Sequence, residues 1–127
     1  MTMERDAIVW GEIPVSDLAA ATAFYSAAMN VPLSITDDMG PMKMTVFPYA
    51  GGEGVSGHLV EGSPAKDGQG PILHILIQGT LAEAAQRLRA AGGETDAVEY
   101  PVPSGKFIYA RDLDGNRFGL YVSHTAR

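Results

Sequence analysis

Cysteine is absent from all 127 residues, so disulfides, thiol nucleophiles and thiolate metal sites are excluded together. Positive charge is scarce: nine Lys and Arg against fifteen Asp and Glu leave a formal net charge of −6. That balance offers no basic stripe for nucleic-acid phosphates. No apolar run approaches the roughly 20 residues needed to cross a bilayer. The opening Met1-Thr2-Met3-Glu4-Arg5-Asp6 also lacks the basic and apolar stretches of a secretory leader. The expectation is a soluble, cytoplasmic protein without nucleic-acid or membrane partners. Tryptophan occurs once, as Trp10, and glycine-rich phosphate loops and nucleophile elbows are missing.

What is present is an ordinary globular balance, 46% hydrophobic and 19% charged, enough for one domain over residues 1–127. Fifteen glycines and eight prolines point to short strands joined by turns. The chain repeats itself. Ile8–Val15 alternates as a strand and runs into a helix capped by Asp17 or Ser16 and reaching about Met29, with Leu18, Ala21, Tyr25 and Ala28 along its buried stripe. Strand candidates follow at Leu33–Asp37, Met42–Tyr49 and Val55–Val60. After a linker-like stretch at about 63–71, the order recurs. Strand Ile72–Gln78 leads to a helix Leu81–Ala91, capped by Thr80 and ended by Gly92-Gly93, and then to strands Thr95–Glu99, Phe107–Arg111 and Arg117–Ser123. The pattern is β-α-β-β-β twice, as module 1 at about 7–62 and module 2 at about 72–124. Asp112-Leu113-Asp114-Gly115-Asn116 lacks the spaced carboxylates and terminal Glu of a calcium loop and reads as a hairpin turn.

Three pieces carry a resemblance: Ile13-Pro14-Val15-Ser16-Asp17-Leu18 with Phe24-Tyr25, the Ala90-Ala91-Gly92-Gly93 helix end, and Asp112-Leu113-Asp114-Gly115-Asn116. In this order the chain resembles the vicinal oxygen chelate superfamily of glyoxalase I, bleomycin and fosfomycin resistance proteins and extradiol dioxygenases. The resemblance implies an α+β fold of two tandem βαβββ modules, a cupped mixed sheet with helices on its convex side, and a small-molecule cavity. It also implies a homodimer, since paired modules in the superfamily often come from different chains.

The superfamily usually holds a divalent metal with a His or Gln in the first strand of a module and a carboxylate in the last. Carried over by position, those sites fall on Trp10, Leu73 and Gly119, none with a suitable donor, and only His58 keeps one. A metal-free binder of a small, partly aromatic molecule follows, with Trp10, Glu12, His58, Gly119 and Tyr121 at the binding site. Trp10 would wall the cavity, and Gly119 would leave room beside Tyr121. The alternative is a divalent-metal lyase, isomerase or dioxygenase with Glu12 and His74 as acid/base groups. Its metal (Ni, Zn, Fe or Mn) would sit on Glu12, His58 and His74.

That alternative depends on register. Matching Asp17 to Thr80 sends His74 to the core. One extra residue before the second helix instead makes His74 the counterpart of Glu12 and sends Leu73, Ile75 and Ile77 inward, the preferred reading. Met39, Met42 and Met44 are expected to fill core and cavity wall. Tyr49, Tyr100 and Tyr109 have no assigned place beyond a rim.

Overall fold

A computed structural model describes residues 8, 10–38, 40, 42–49, 55–66 and 69–124. Module 1 comprises β1 (Trp10–Val15), α1 (Leu18–Met29), β2 (Ile35–Thr36), β3 (Met44–Val46) and β4 (Ser56–Glu61). Module 2 repeats the order with β5 (Leu73–Leu76), α2 (Leu81–Ala90), β6 (Tyr100–Val102), β7 (Gly105–Arg111) and β8 (Arg117–Ser123). The sheets run β1-β4-β3-β2 and β5-β8-β7-β6, each with its first strand parallel to its last and the remaining pairs antiparallel. The duplication therefore extends to topology. Within one chain the strands form two four-stranded mixed sheets, one per module, as the α+β fold of two βαβββ modules requires.

The helices form where their sequences cap them. Asp17 accepts a hydrogen bond from the Ala20 amide, and α1 ends where Asn30 turns left-handed at φ 61°. Thr80 and Glu83 make a reciprocal capping box at α2. Leu18, Ala21, Phe24, Tyr25 and Ala28 of α1 and Leu81, Ala84, Ala85 and Leu88 of α2 join one core with Ile13, Val15, Leu59, Ile75, Ile108, Phe118 and Leu120 from both sheets. Each large side chain moved from water into that core contributes about 1.5–3 kcal/mol.

One predicted strand shifts. Residues 95–99 form no strand beyond the bridge Glu94 makes with Arg111. Thr95 Oγ1 accepts from the Ala97 amide, Asp96 Oδ1 accepts from the Val98 amide, and Ala97 turns to φ 59°. Those local bonds offer the backbone an alternative to a ladder. The strand lies instead at Tyr100–Val102, an edge position that tolerates Pro101. Met44 is buried, Met42 is exposed and not a core residue, and Met39 lies outside the described residues.

A buried knot ties the modules together. Asp112 accepts from the Tyr25 hydroxyl at 2.7 Å, from Asn116 Nδ2 at 2.9 Å, and from the Asp114 and Asn116 amides. Asn116 Nδ2 also donates to the Pro14 carbonyl, and Asp114 receives both the amide and the hydroxyl of Ser16. The Asp112–Asn116 turn is thus a clamp on the exit of β1. Burial, then the nearby Asp112 carboxylate, holds the Tyr25 phenol well above its usual pKa.

Candidate functional site

Side chains alternate across a strand, so the core faces define the opposite ones. Ile13 and Val15 point inward with Leu59, which leaves Trp10, Glu12 and Pro14 outward beside Ser56, His58 and Val60. In module 2, Ile75 and Ile77 are buried and Leu73 packs partly against the core, while His74 sits outward beside Gly119. Glu12 pairs with His58 in register, and His74 pairs with Gly119 at the corresponding strands. His74 is therefore the counterpart of Glu12, as the preferred register has it. In that register the position matching Trp10 is Ile72, again without a donor.

Three predicted residues of module 1 meet. The indole Nε1–H of Trp10 donates to His58 Nδ1 at 2.9 Å, and His58 Nε2 lies 3.0 Å from Glu12 Oε1. An indole can only donate, so Nδ1 is an acceptor and the neutral ring carries its proton on Nε2, directed at Glu12. His58 is buried, whereas the Glu12 side chain is 65% exposed. The imidazole thus holds one carboxylate oxygen and leaves the rest of that group open to the sheet face. Tyr49 meets the Trp10 ring edge-on at 5.2 Å.

His74 does not join them. No group of three His, Asp or Glu suited to a metal occurs among the described residues. A metal at His58 would also have to displace Trp10 or Glu12 from a ring nitrogen. The donor set of one chain does not fit the usual metal.

His74 instead lies across Gly119. A Cβ at Gly119 would stand 2.2 Å from His74 Nδ1, so the space expected for a ligand there holds the imidazole. Its ring contacts Phe107 at 4.5 Å and Tyr109 at 6.0 Å between centroids. The desolvation this contact causes holds its pKa below the usual imidazole value. Tyr100 stacks on Phe107 at 5.5 Å and also meets Tyr109, and Arg117 lies over the Tyr109 ring at 4.4 Å. Tyr121 shares this face, opposite Phe107, and its hydroxyl donates to Ser104. Phe107 is the residue the sequence reading missed. The available signal was the period of two in Phe107, Tyr109 and Arg111.

An open groove of about 1240 Å³ follows β5 and reaches His74 and Tyr121, with Leu73, Ile75 and Val122 along its walls. It does not include Glu12 or His58. Nor does it include Tyr100, Phe107 or Tyr109; the polar pair lies on β1 and β4 and these rings on β6 and β7, in different sheets.

The sequence profile of the Glyoxalase/Bleomycin resistance protein/Dioxygenase superfamily matches residues 7–120. The chain belongs to that superfamily. Among solved structures it is similar to the fosfomycin resistance protein FosX from Listeria monocytogenes, with 23% identity and a TM-score of 0.63 over 98% of this chain and 96% of that one. The antibiotic binding protein TnmS3 from a Streptomyces species matches at 21% identity and TM-score 0.61, over 96% of this chain and 99% of that one. A glyoxalase/bleomycin resistance protein from Albidiferax ferrireducens matches at 20% and 0.62, over 92% and 99%. No curated protein matches the sequence. At these identities the glyoxalase/bleomycin-resistance fold is what the structures share. Among the described residues, no helix is long and apolar enough to cross a membrane.

Proposed function

We propose that this superfamily member binds a small, partly aromatic molecule without a resident metal. The observation that carries this reading is the closed bonding of His58: Trp10 occupies Nδ1 and Glu12 faces Nε2, so the one retained ligand position has no free lone pair. Glu12 then supplies polar recognition, Trp10 the wall, and the rings of module 2 an apolar surface. The antibiotic binding protein among the similar structures is consistent with this class. Because both modules bury one face in a common core, their ligand-facing surfaces are open in a single chain, and a homodimer would close them. The cytoplasmic placement belongs to the same reading.

The metal-dependent alternative has a similar structure on its side, a FosX variant described in complex with Mn(II) and a dihydroxypropylphosphonic acid. Nitrogen-resolved NMR of His58 separates the two. On adding zinc or manganese, the Trp10 indole N–H and His58 Nδ1 resonances are expected to stay unchanged. Loss of the indole hydrogen bond with a metal-shifted Nδ1 would overturn the proposal.

A further inference from the structure

We propose that the outward face of module 2 recognises a planar aromatic carboxylate, its rings taking the aromatic body and Arg117, with Arg111 beside it, taking the anion. This rests on the aromatic-binding reading and specifies its ligand class. Register places Tyr100, Phe107, Tyr109 and Arg111 on one side of the sheet with Tyr121, Gly119 and Arg117. The ring-to-ring distances of 4.5 to 6.0 Å among His74, Phe107, Tyr109 and Tyr100 make this a continuous floor. Tyr100 is 41% exposed, so the floor is open to solvent at one margin.

Charge at its other margin is what points to an anion. Arg117 stands directly opposite Arg111 across β7 and β8, a like-charge pairing that costs stability unless something compensates it. Glu94 bridges the Arg111 backbone, yet it forms no ion pair with that guanidinium. Among the described residues the ion pair between fixed charges is Lys106–Glu99, and the other close contact of this kind joins Glu12 to the neutral His58 ring. Among the described residues, neither of these two facing arginines at the end of the aromatic surface has an acidic side chain in ion-pair contact. The Arg117 guanidinium carbon lies 4.4 Å from the Tyr109 ring centroid, a cation–π contact that holds the group at the margin of the floor, where its N–H groups can meet a carboxylate in bidentate fashion.

The test is calorimetry on the whole protein with 2-naphthoate and its neutral counterpart 2-naphthalenemethanol, at low and high salt. Wild type is expected to bind the acid roughly tenfold more tightly than the alcohol, an advantage that salt reduces. Arg117→Gln should bring the acid down to the alcohol's affinity, and Arg111→Gln part of the way, with both variants melting like wild type. Equal binding of acid and alcohol by wild type would overturn the anion site and leave aromatic binding standing. Absence of binding by either probe would overturn both. Unchanged acid affinity in both variants, with an altered mass by light scattering, would overturn the proposal and assign the arginines to contact between copies.

Discussion

At the scale of single residues, the outward faces of the two modules are set by two histidines in different surroundings. Trp10 uses its single N–H to fix the tautomer of His58. Gly119 has no side chain, and the His74 ring covers it. Removing the imidazole by His58→Ala should free the Trp10 indole, with a red-shifted emission from this only tryptophan as the readout. Adding a methyl at Gly119 tests the second arrangement. Gly119→Ala should push His74 off the sheet and let its pKa rise toward the ordinary value, measured by proton NMR titration. His74 itself works against the fold in acid. Its pKa is lowered in the folded state, so the unfolded chain binds the extra proton first. Stability from this group is therefore complete above the ordinary imidazole pKa and declines as pH falls through the lower folded one.

At the scale of elements, the junctions are tighter than the strands they join. Asp112 receives four donors in a buried site, and Asp112→Ala strands the Tyr25 hydroxyl and the Asn116 amide. The expected loss is about 3 kcal/mol, seen as a drop in Tm of roughly 10 °C. Tyr25 gives the opposite pH signature to His74. Its raised pKa means that the unfolded phenol ionises first, so stability is intact below the usual phenol pKa and falls as pH rises beyond it. In Tyr25→Phe that alkaline slope should flatten, although the protein starts less stable. Gly57 belongs to the same scale: a Cβ there would sit 2.3 Å from the Gly11 carbonyl, a backbone atom that cannot swing aside. Gly57→Ala should separate β1 from β4 and cost about 1–3 kcal/mol or more by chemical denaturation.

Helices, caps and the repeat were legible in the sequence because they depend on local spacing. The direction of His74 was open between two registers in the sequence, and the strand pairing bears out the one that keeps Leu73, Ile75 and Ile77 inward. The Trp10–His58 hydrogen bond joins residues 48 apart in sequence, and the aromatic floor needs the β6–β7–β8 register, so neither could be read locally. The strand expected at residues 95–99 gave way to side-chain turns, and the real one was masked by Pro101 and Pro103.

At the scale of the whole molecule, two modules of a glyoxalase/bleomycin-resistance superfamily member share one core and turn their opposite sheet faces outward. A polar pair lies on one face and an aromatic floor on the other, with no metal set gathered from the described residues of one chain. Light scattering is expected to report a dimer, the form in which those faces would be covered. The central claim, that the scaffold has exchanged metal chemistry for recognition, is open to one direct measurement. Protein purified without a histidine tag is incubated with nickel, zinc, iron(II) and manganese in turn, desalted, and analysed for metal per chain. The account predicts no stoichiometric metal in any case; one equivalent retained by wild type and lost in His58→Ala or His74→Ala would contradict it.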